Sequence, residues 1–155
     1  MKKAFFVFIM MTAFAALGIH AQAANNVTKM INTEKVSWGQ VSYFSAVAQG
    51  LVSEDSSNEA AFALLQKSGI AASDKNALSA ITFAELAHVC AQTWKVNNSF
   101  MYKISPSPRY AFNMMRANGI IPRNVDPDSV PNGHDVLNVI TATMEMVSDE
   151  KGGKK

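Results

Sequence analysis

The sequence has a single cysteine, Cys90, and three histidines in 155 residues. One cysteine excludes an internal disulfide and any metal site built from several thiolates. Cys90 lies within an apolar run, so we expect a buried, unreactive thiol. The sequence also has no glycine-rich phosphate loop, and its histidines are not spaced as metal ligands. We therefore expect a protein that is not an enzyme and has no cofactor.

Long apolar runs are missing beyond the first residues. Lys2 and Lys3 precede an apolar run over 4–17, and Ala21-Gln22-Ala23 has the small-x-small pattern of a cleavage site. We interpret residues 1–23 as a cleavable bacterial secretory signal. The run has about 14 residues, fewer than the ~20 that span a bilayer as a helix. We expect an exported protein, periplasmic or at the cell surface, with no transmembrane segment after cleavage.

An excess of either charge is also missing once the leader is set aside. The whole chain has 14 basic and 12 acidic side chains, and Lys2 and Lys3 account for the difference. A neutral domain has no global electrostatic attraction for a polyanion. We therefore expect no nucleic-acid partner.

A helix-capping pattern occurs three times. In each copy a short polar residue is followed three positions later by a polar or acidic residue that begins an apolar run, which is typical of a capping box. The pairs are Ser37 with Gln40, Thr82 with Glu85, and Asn132 with Asp135. The three copies indicate three helix starts and suggest a repeat.

A second pattern recurs 50 residues apart. An apolar helix ends in Gly-Ile at residues 69–70 and again at residues 119–120. Glycine there permits the left-handed conformation that closes a helix. Other residues recur at the same interval, namely Ala61 with Ala111, Phe62 with Phe112, Leu65 with Met115, and Glu85 with Asp135. A fixed period with both halves in register indicates internal duplication.

These patterns predict an all-α domain of about five helices, in helix–loop–helix repeats that share one core. Two full units follow a half unit that begins near Val36. The domain spans 36–147, after a polar linker over 24–35 and before a flexible tail over 148–155. The predicted core residues are Val41, Phe44, Phe62, Leu65, Leu86, Val89, Phe112, Met115, Val136 and Ile140.

The stretches 61–70 and 81–87, with the second copy at Gly119-Ile120 and 135–137, resemble the S-layer homology repeat of exported bacterial cell-envelope proteins. The resemblance covers about Val36 to Met146. It implies two helices joined by a loop in each unit, and attachment to peptidoglycan or an associated cell-wall polymer. The family's typical ligand-binding arginine follows the capping residue, where this chain has Trp38, Phe83 and Gly133.

The expected partner is thus a cell-wall glycan, or an envelope protein if the chain is instead a structural or adaptor subunit of an assembly. Aromatic and basic residues around a proline-rich connection form the candidate binding surface, because tyrosines offer stacking faces and cations hold carboxylates or phosphates. These residues are Tyr102, Lys103, Arg109, Tyr110, Arg116 and Arg123. The alternative is that the tyrosines pack between the repeats and the arginines form surface ion pairs.

The pair Glu85 and His88 has the Glu-x-x-His spacing of carboxylate-bridged metal bundles. Such a site needs a second copy, and the equivalents of His88 are Tyr43 and Asn138. We therefore interpret Glu85 as a helix cap and His88 as a surface or partly buried side chain.

Overall fold

A computed structural model describes residues 24–152, apart from the side chain of Lys151. The predicted signal, residues 1–23, lies outside this range. Seven helices form the described part of the chain, and it has no β-strand. They are α1 (24–31), α2 (Trp38–Ala48), α3 (Asn58–Lys67), α4 (Phe83–Thr93), α5 (Phe100–Ile104), α6 (Pro108–Ala117) and α7 (Gly133–Gly152). The all-α class is confirmed, with α1 and α5 as the helices beyond the predicted five.

The two 50-residue copies make matching backbone hydrogen bonds. Leu65 O accepts from Ile70 N–H at 2.9 Å, as Met115 O does from Ile120 N–H at 2.9 Å. Gly69 and Gly119, which close the two helices, have φ of 74° and 77°, where an L side chain would be strained. The loops that follow α3 and α6, 68–82 and 118–132, are both 15 residues long.

Three extended segments, each just before a capped helix, meet at the centre of the fold. Val36 N–H donates to Pro131 O at 3.1 Å, and Ile81 N–H donates to Val36 O at 3.1 Å. Proline has no N–H, so Pro131 cannot donate the bond that would complete this cycle. All three residues are buried.

The first helical residue of each capped helix donates its N–H to the loop of another unit. The bonds are Trp38 N–H to Ser79 O (2.9 Å), Phe83 N–H to Ser129 O (3.0 Å) and Gly133 N–H to Thr33 O (2.8 Å). The last bond joins α7 to the segment that follows α1. The three N-termini are therefore connected cyclically.

The segment 24–35 is not a linker. Its residues 24–31 form α1, whose Met30 is fully buried in the core, and Thr33 receives the bond from Gly133. Helix α1 precedes α2 as α3 precedes α4, so a helix stands before the half unit predicted from the sequence. The predicted tail is also partly wrong, because α7 continues to Gly152.

One cluster of buried apolar residues joins the helices, with α4 in contact with α2, α6 and α7. Nine of the ten predicted core residues are buried, and Phe44 is only partly buried.

Cys90 on α4 is fully enclosed, and burial raises the pKa of its thiol to about 12. The thiol is therefore protonated at neutral pH and unreactive.

Candidate binding site

The predicted binding residues lie on α5, α6 and the loop after α6. Lys103, Arg109 and Arg123 are exposed, and Tyr110 and Arg116 are half-buried. Tyr102 is only 3% exposed, so its ring does not offer the stacking face expected of it. The structure thus separates the six residues into one buried, two half-buried and three exposed side chains.

Tyr102 holds α5 against α4. Its hydroxyl oxygen accepts a hydrogen bond from Gln92 Nε2 at 2.9 Å and lies 3.2 Å from Nδ1 of His88. Burial raises the pKa of Tyr102 and lowers the pKa of His88. The neutral imidazole is therefore favoured, and its Nδ1 can accept the hydrogen that the Tyr102 hydroxyl donates.

His88 predicts a pH-dependent stability. Because its pKa in the fold is below the unfolded value of about 6.5, its neutral form stabilises the protein fully above that pH. This contribution is lost as the pH falls through the folded pKa. We expect wild type to lose more free energy of unfolding than His88→Gln between about pH 7.5 and 5.5, in urea titrations. His134→Gln removes an exposed histidine and is the control. Equal losses of unfolding free energy in wild type and His88→Gln would contradict the role given to His88.

The first cleft beside α5 lies between α5 and α6 and has a volume of about 400 Å³. Its polar lining is mainly three asparagines, Asn98, Asn113 and Asn118, and we call it the asparagine cleft. Tyr110 and Met101 also line it. Of the six predicted binding residues, Tyr110 is the one that reaches this cleft directly.

Hydrogen bonds hold the asparagine side chains in place. Asn118 Nδ2 donates to Met114 O at 3.0 Å and lies 3.4 Å from Asn98 Oδ1, while Arg116 donates to Asn113 Oδ1 at 3.1 Å. Within residues 24–152 neither Asn113 Nδ2 nor Asn118 Oδ1 makes a hydrogen bond. The cleft therefore offers a fixed donor and a fixed acceptor.

Arg116 contributes indirectly. Its guanidinium lies 5.2 Å above the ring of Phe112, which is a cation–π contact, while it bonds to Asn113. These two contacts orient Asn113 toward the cleft from the same helix. Arg123, on loop 118–132, is not among the residues that line the cleft.

The second cleft lies on the other side of α5 and has a volume of about 370 Å³. Lys95 and Lys103 line it, together with Gln92, Tyr102 and Pro106. We call it the lysine cleft. It has two cations and no acidic side chain in its lining, in contrast to the uncharged asparagine cleft.

A third cleft, of about 270 Å³, lies beside α1. The Tyr43 hydroxyl at its wall donates to Glu54 O at 2.7 Å and accepts from Asn26 Nδ2 at 2.9 Å. Its phenol is therefore used to hold α1 and the turn after α2 against each other. Because the Tyr43 hydroxyl is already engaged in these contacts, we prefer the asparagine cleft to this third cleft as the candidate site.

The three capping pairs have the reciprocal geometry of capping boxes. Glu85 Oε2 accepts from Thr82 N–H at 2.9 Å, and Asp135 N–H donates to Asn132 Oδ1 at 2.9 Å; Ser37 and Gln40 pair in the same way. The other oxygen of Glu85 forms an ion pair with Lys75 Nζ at 2.9 Å. In the described range no group of three or more metal-ligating side chains converges.

The three positions of the expected family arginine do not face solvent. Trp38 and Phe83 are 2% and 6% exposed, and Gly133 is buried against the backbone at Met30. A ligand therefore cannot be held by side chains at these positions.

The three asparagines were not predicted from the sequence. Asn113 carries a signal that could have indicated it, because asparagine is unfavourable inside a helix and this one lies in the middle of α6. No protein-family model matches the chain, and a search of curated proteins returns no similar sequence.

Proposed function

We propose that this protein is a non-catalytic binding module for a glycan of the bacterial cell envelope, either peptidoglycan or an associated cell-wall polymer. The asparagine cleft is the observation that carries the proposal. A polar, uncharged cleft lined by half-buried Tyr110 and by two methionines suits a sugar, which has hydroxyl groups at its edges and C–H groups on its faces.

Each part of the cleft has a role in this proposal. The Asn113 amide donates to a sugar oxygen, and Asn118 Oδ1 accepts from a hydroxyl or an acetamido N–H. Tyr110 packs beside a sugar ring, and exposed Arg109 pairs with a carboxylate or phosphate at the edge of the ligand. Tyr102 and Arg116 position these groups, through α5 and Asn113.

The predicted leader and the resemblance to S-layer homology repeats support a location in the envelope, periplasmic or at the cell surface. Because Trp38, Phe83 and Gly133 occupy the family's arginine positions and are buried, we place binding on the α5–α6 side of the fold. The proposed ligand class follows the resemblance, whereas the proposed site follows this chain's own asparagines.

Co-sedimentation with purified cell-wall sacculi tests the proposal. We expect the chain from residue 24 onward to pellet with sacculi, and Tyr110→Ala with Asn113→Ala to weaken binding by about tenfold or more, as for central contacts of an interface. Asn124→Ala, at an exposed loop asparagine outside the cleft, is the matched control.

Equal retention of wild type and the double variant would reject the asparagine cleft as the site. Failure of wild type to pellet, with a stoichiometric protein partner in the native mass of the purified complex, would favour the alternative role as a structural or adaptor subunit.

A further inference from the structure

Helix α5 exposes large apolar side chains on its outward face. Phe100, Met101 and Ile104 are 75%, 47% and 64% exposed, while Tyr102 is buried against α4. At about 100° per residue, the three exposed side chains span one arc opposite Tyr102. Three large apolar groups concentrated on one short helix differ from the scattered apolar residues of an ordinary surface.

Basic side chains border this apolar face. Lys103 lies two residues after Met101 on α5, and Lys95 lines the lysine cleft together with Lys103. Exposed Arg109 lies in the first turn of α6, after the connection over 105–107. On the other side of α5, Glu150 lies 3.5 Å from Asn98, so the acidic group is beside the asparagine cleft and not the lysine cleft.

Lys95 has a further peculiarity. It has φ of 57°, in the left-handed region, and Gly50 occupies the corresponding place after α2 with φ of 66°. Lysine is disfavoured in this conformation relative to glycine. The chain therefore has a cation beside α5 at a position where the backbone alone favours glycine.

We propose that α5 docks on an anionic phospholipid surface, with Phe100 and Ile104 entering the headgroup–acyl boundary and Lys95 and Lys103 contacting lipid phosphates. Apolar residues flanked by lysines suit the interface of a bilayer. There the methylene stems of the lysines lie against the apolar region, and their ammonium groups reach the lipid headgroups. A protein partner is disfavoured because lysine is depleted in protein–protein interfaces.

The contact would be peripheral. None of the helices within residues 24–152 has the length and hydropathy to cross a bilayer. The proposal does not depend on glycan binding, because it uses Phe100, Ile104 and the lysine cleft, none of which lines the asparagine cleft that the sugar would occupy.

Vesicle co-sedimentation tests it, with the chain from residue 24 onward and vesicles of phosphatidylglycerol and phosphatidylcholine, against vesicles of phosphatidylcholine alone. We expect binding to the anionic vesicles only, weakened by added salt. Phe100→Ser with Ile104→Ser should lower the partition constant by about tenfold or more, since two large apolar groups are lost from the interface. Lys103→Ser should lower it by about fivefold.

Leu78→Ser is the matched control, because Leu78 is 83% exposed and lies on loop 68–82 and not on α5. It should bind as wild type does. An unchanged alkylation rate at buried Cys90 verifies that each variant remains folded.

Three results would overturn the proposal. They are no binding of wild type to anionic vesicles, equal binding by the Phe100/Ile104 variant, and concentration-dependent dimerisation that this variant abolishes in the absence of lipid. The sacculus assay separates the two proposals, since Tyr110→Ala with Asn113→Ala should affect sacculi alone and the Phe100/Ile104 variant vesicles alone.

Discussion

Replacing Gly133 with alanine is expected to lower the free energy of unfolding by about 3 kcal/mol or more. A Cβ at this position would overlap the carbonyl oxygen of Met30 and lie 2.5 Å from its carbonyl carbon. Both are backbone atoms, so no side-chain rotation relieves the overlap. Helix α1 and α7 would have to separate, and the hydrogen bond from Gly133 N–H to Thr33 O would be lost with them. Urea titration followed by circular dichroism measures the effect.

Two other glycines provide a graded control. A Cβ at Gly152, on the same helix, meets nothing within 4 Å, so Gly152→Ala should change stability by less than about 1 kcal/mol. A Cβ at Gly39 would lie 2.9 Å from Ala77 O, so Gly39→Ala should be intermediate. The same urea midpoint for Gly133→Ala and Gly152→Ala would show that α1 is not packed against α7 as described.

The capped helices could be predicted from the sequence because their determinants are local. A capping box joins residues three positions apart, as Thr82 and Glu85 do. A left-handed glycine closes the helix that ends just before the glycine, as Gly69 closes α3. Such interactions require no knowledge of the rest of the fold. The same holds for the core, since helical spacing alone places Leu86 and Val89 on the buried face of α4.

Helix α1 could not be predicted, because what orders it is distant in sequence. It is too short to form a stable helix alone, and its anchors are the burial of Met30 and the bond between Thr33 and Gly133, about 100 residues apart in the chain. Gly133 illustrates the same limit. In the sequence, Gly133 only stands where the family would have an arginine. The structure explains the glycine, because the backbone of Met30 leaves no room for a Cβ there.

That the residues chosen from the sequence bind a ligand stays a prediction. The segment from Tyr102 to Arg123 was identified by its composition, and helices α5 and α6 within it border two clefts. Composition could not indicate which way Tyr102 faces, because the position of α5 is fixed by its contact with α4 and α6. The asparagines were missed because the sequence does not show that they are neighbours, and only the fold brings Asn98 beside Asn118.

Leu65→Ala is expected to cost ~2–5 kcal/mol, the usual range for truncating a buried leucine. Leu65 is 1% exposed on α3, and its repeat equivalent, Met115, is fully buried. The carbonyl of residue 65 keeps its bond from Ile70 N–H in the variant, so the loss comes from packing. The urea midpoint should fall with an unchanged m value. Leu78→Ala, at an 83% exposed leucine, should stay within about 0.5 kcal/mol of wild type.

This substitution also tests whether the repeats share one core. Cys90 is on α4, in a different helix from Leu65, but both belong to the same buried cluster. If unfolding is cooperative, the cysteine becomes accessible only when the whole cluster opens, so Leu65→Ala should raise its alkylation rate by roughly 30-fold or more, because ~1.4 kcal/mol is a factor of ten. If the helix pairs open independently, α3 would melt first and the alkylation rate of Cys90 would match wild type. The backbone bonds that join Val36 to Ile81 and to Pro131 favour the cooperative result, because opening one unit breaks the backbone pairing of another.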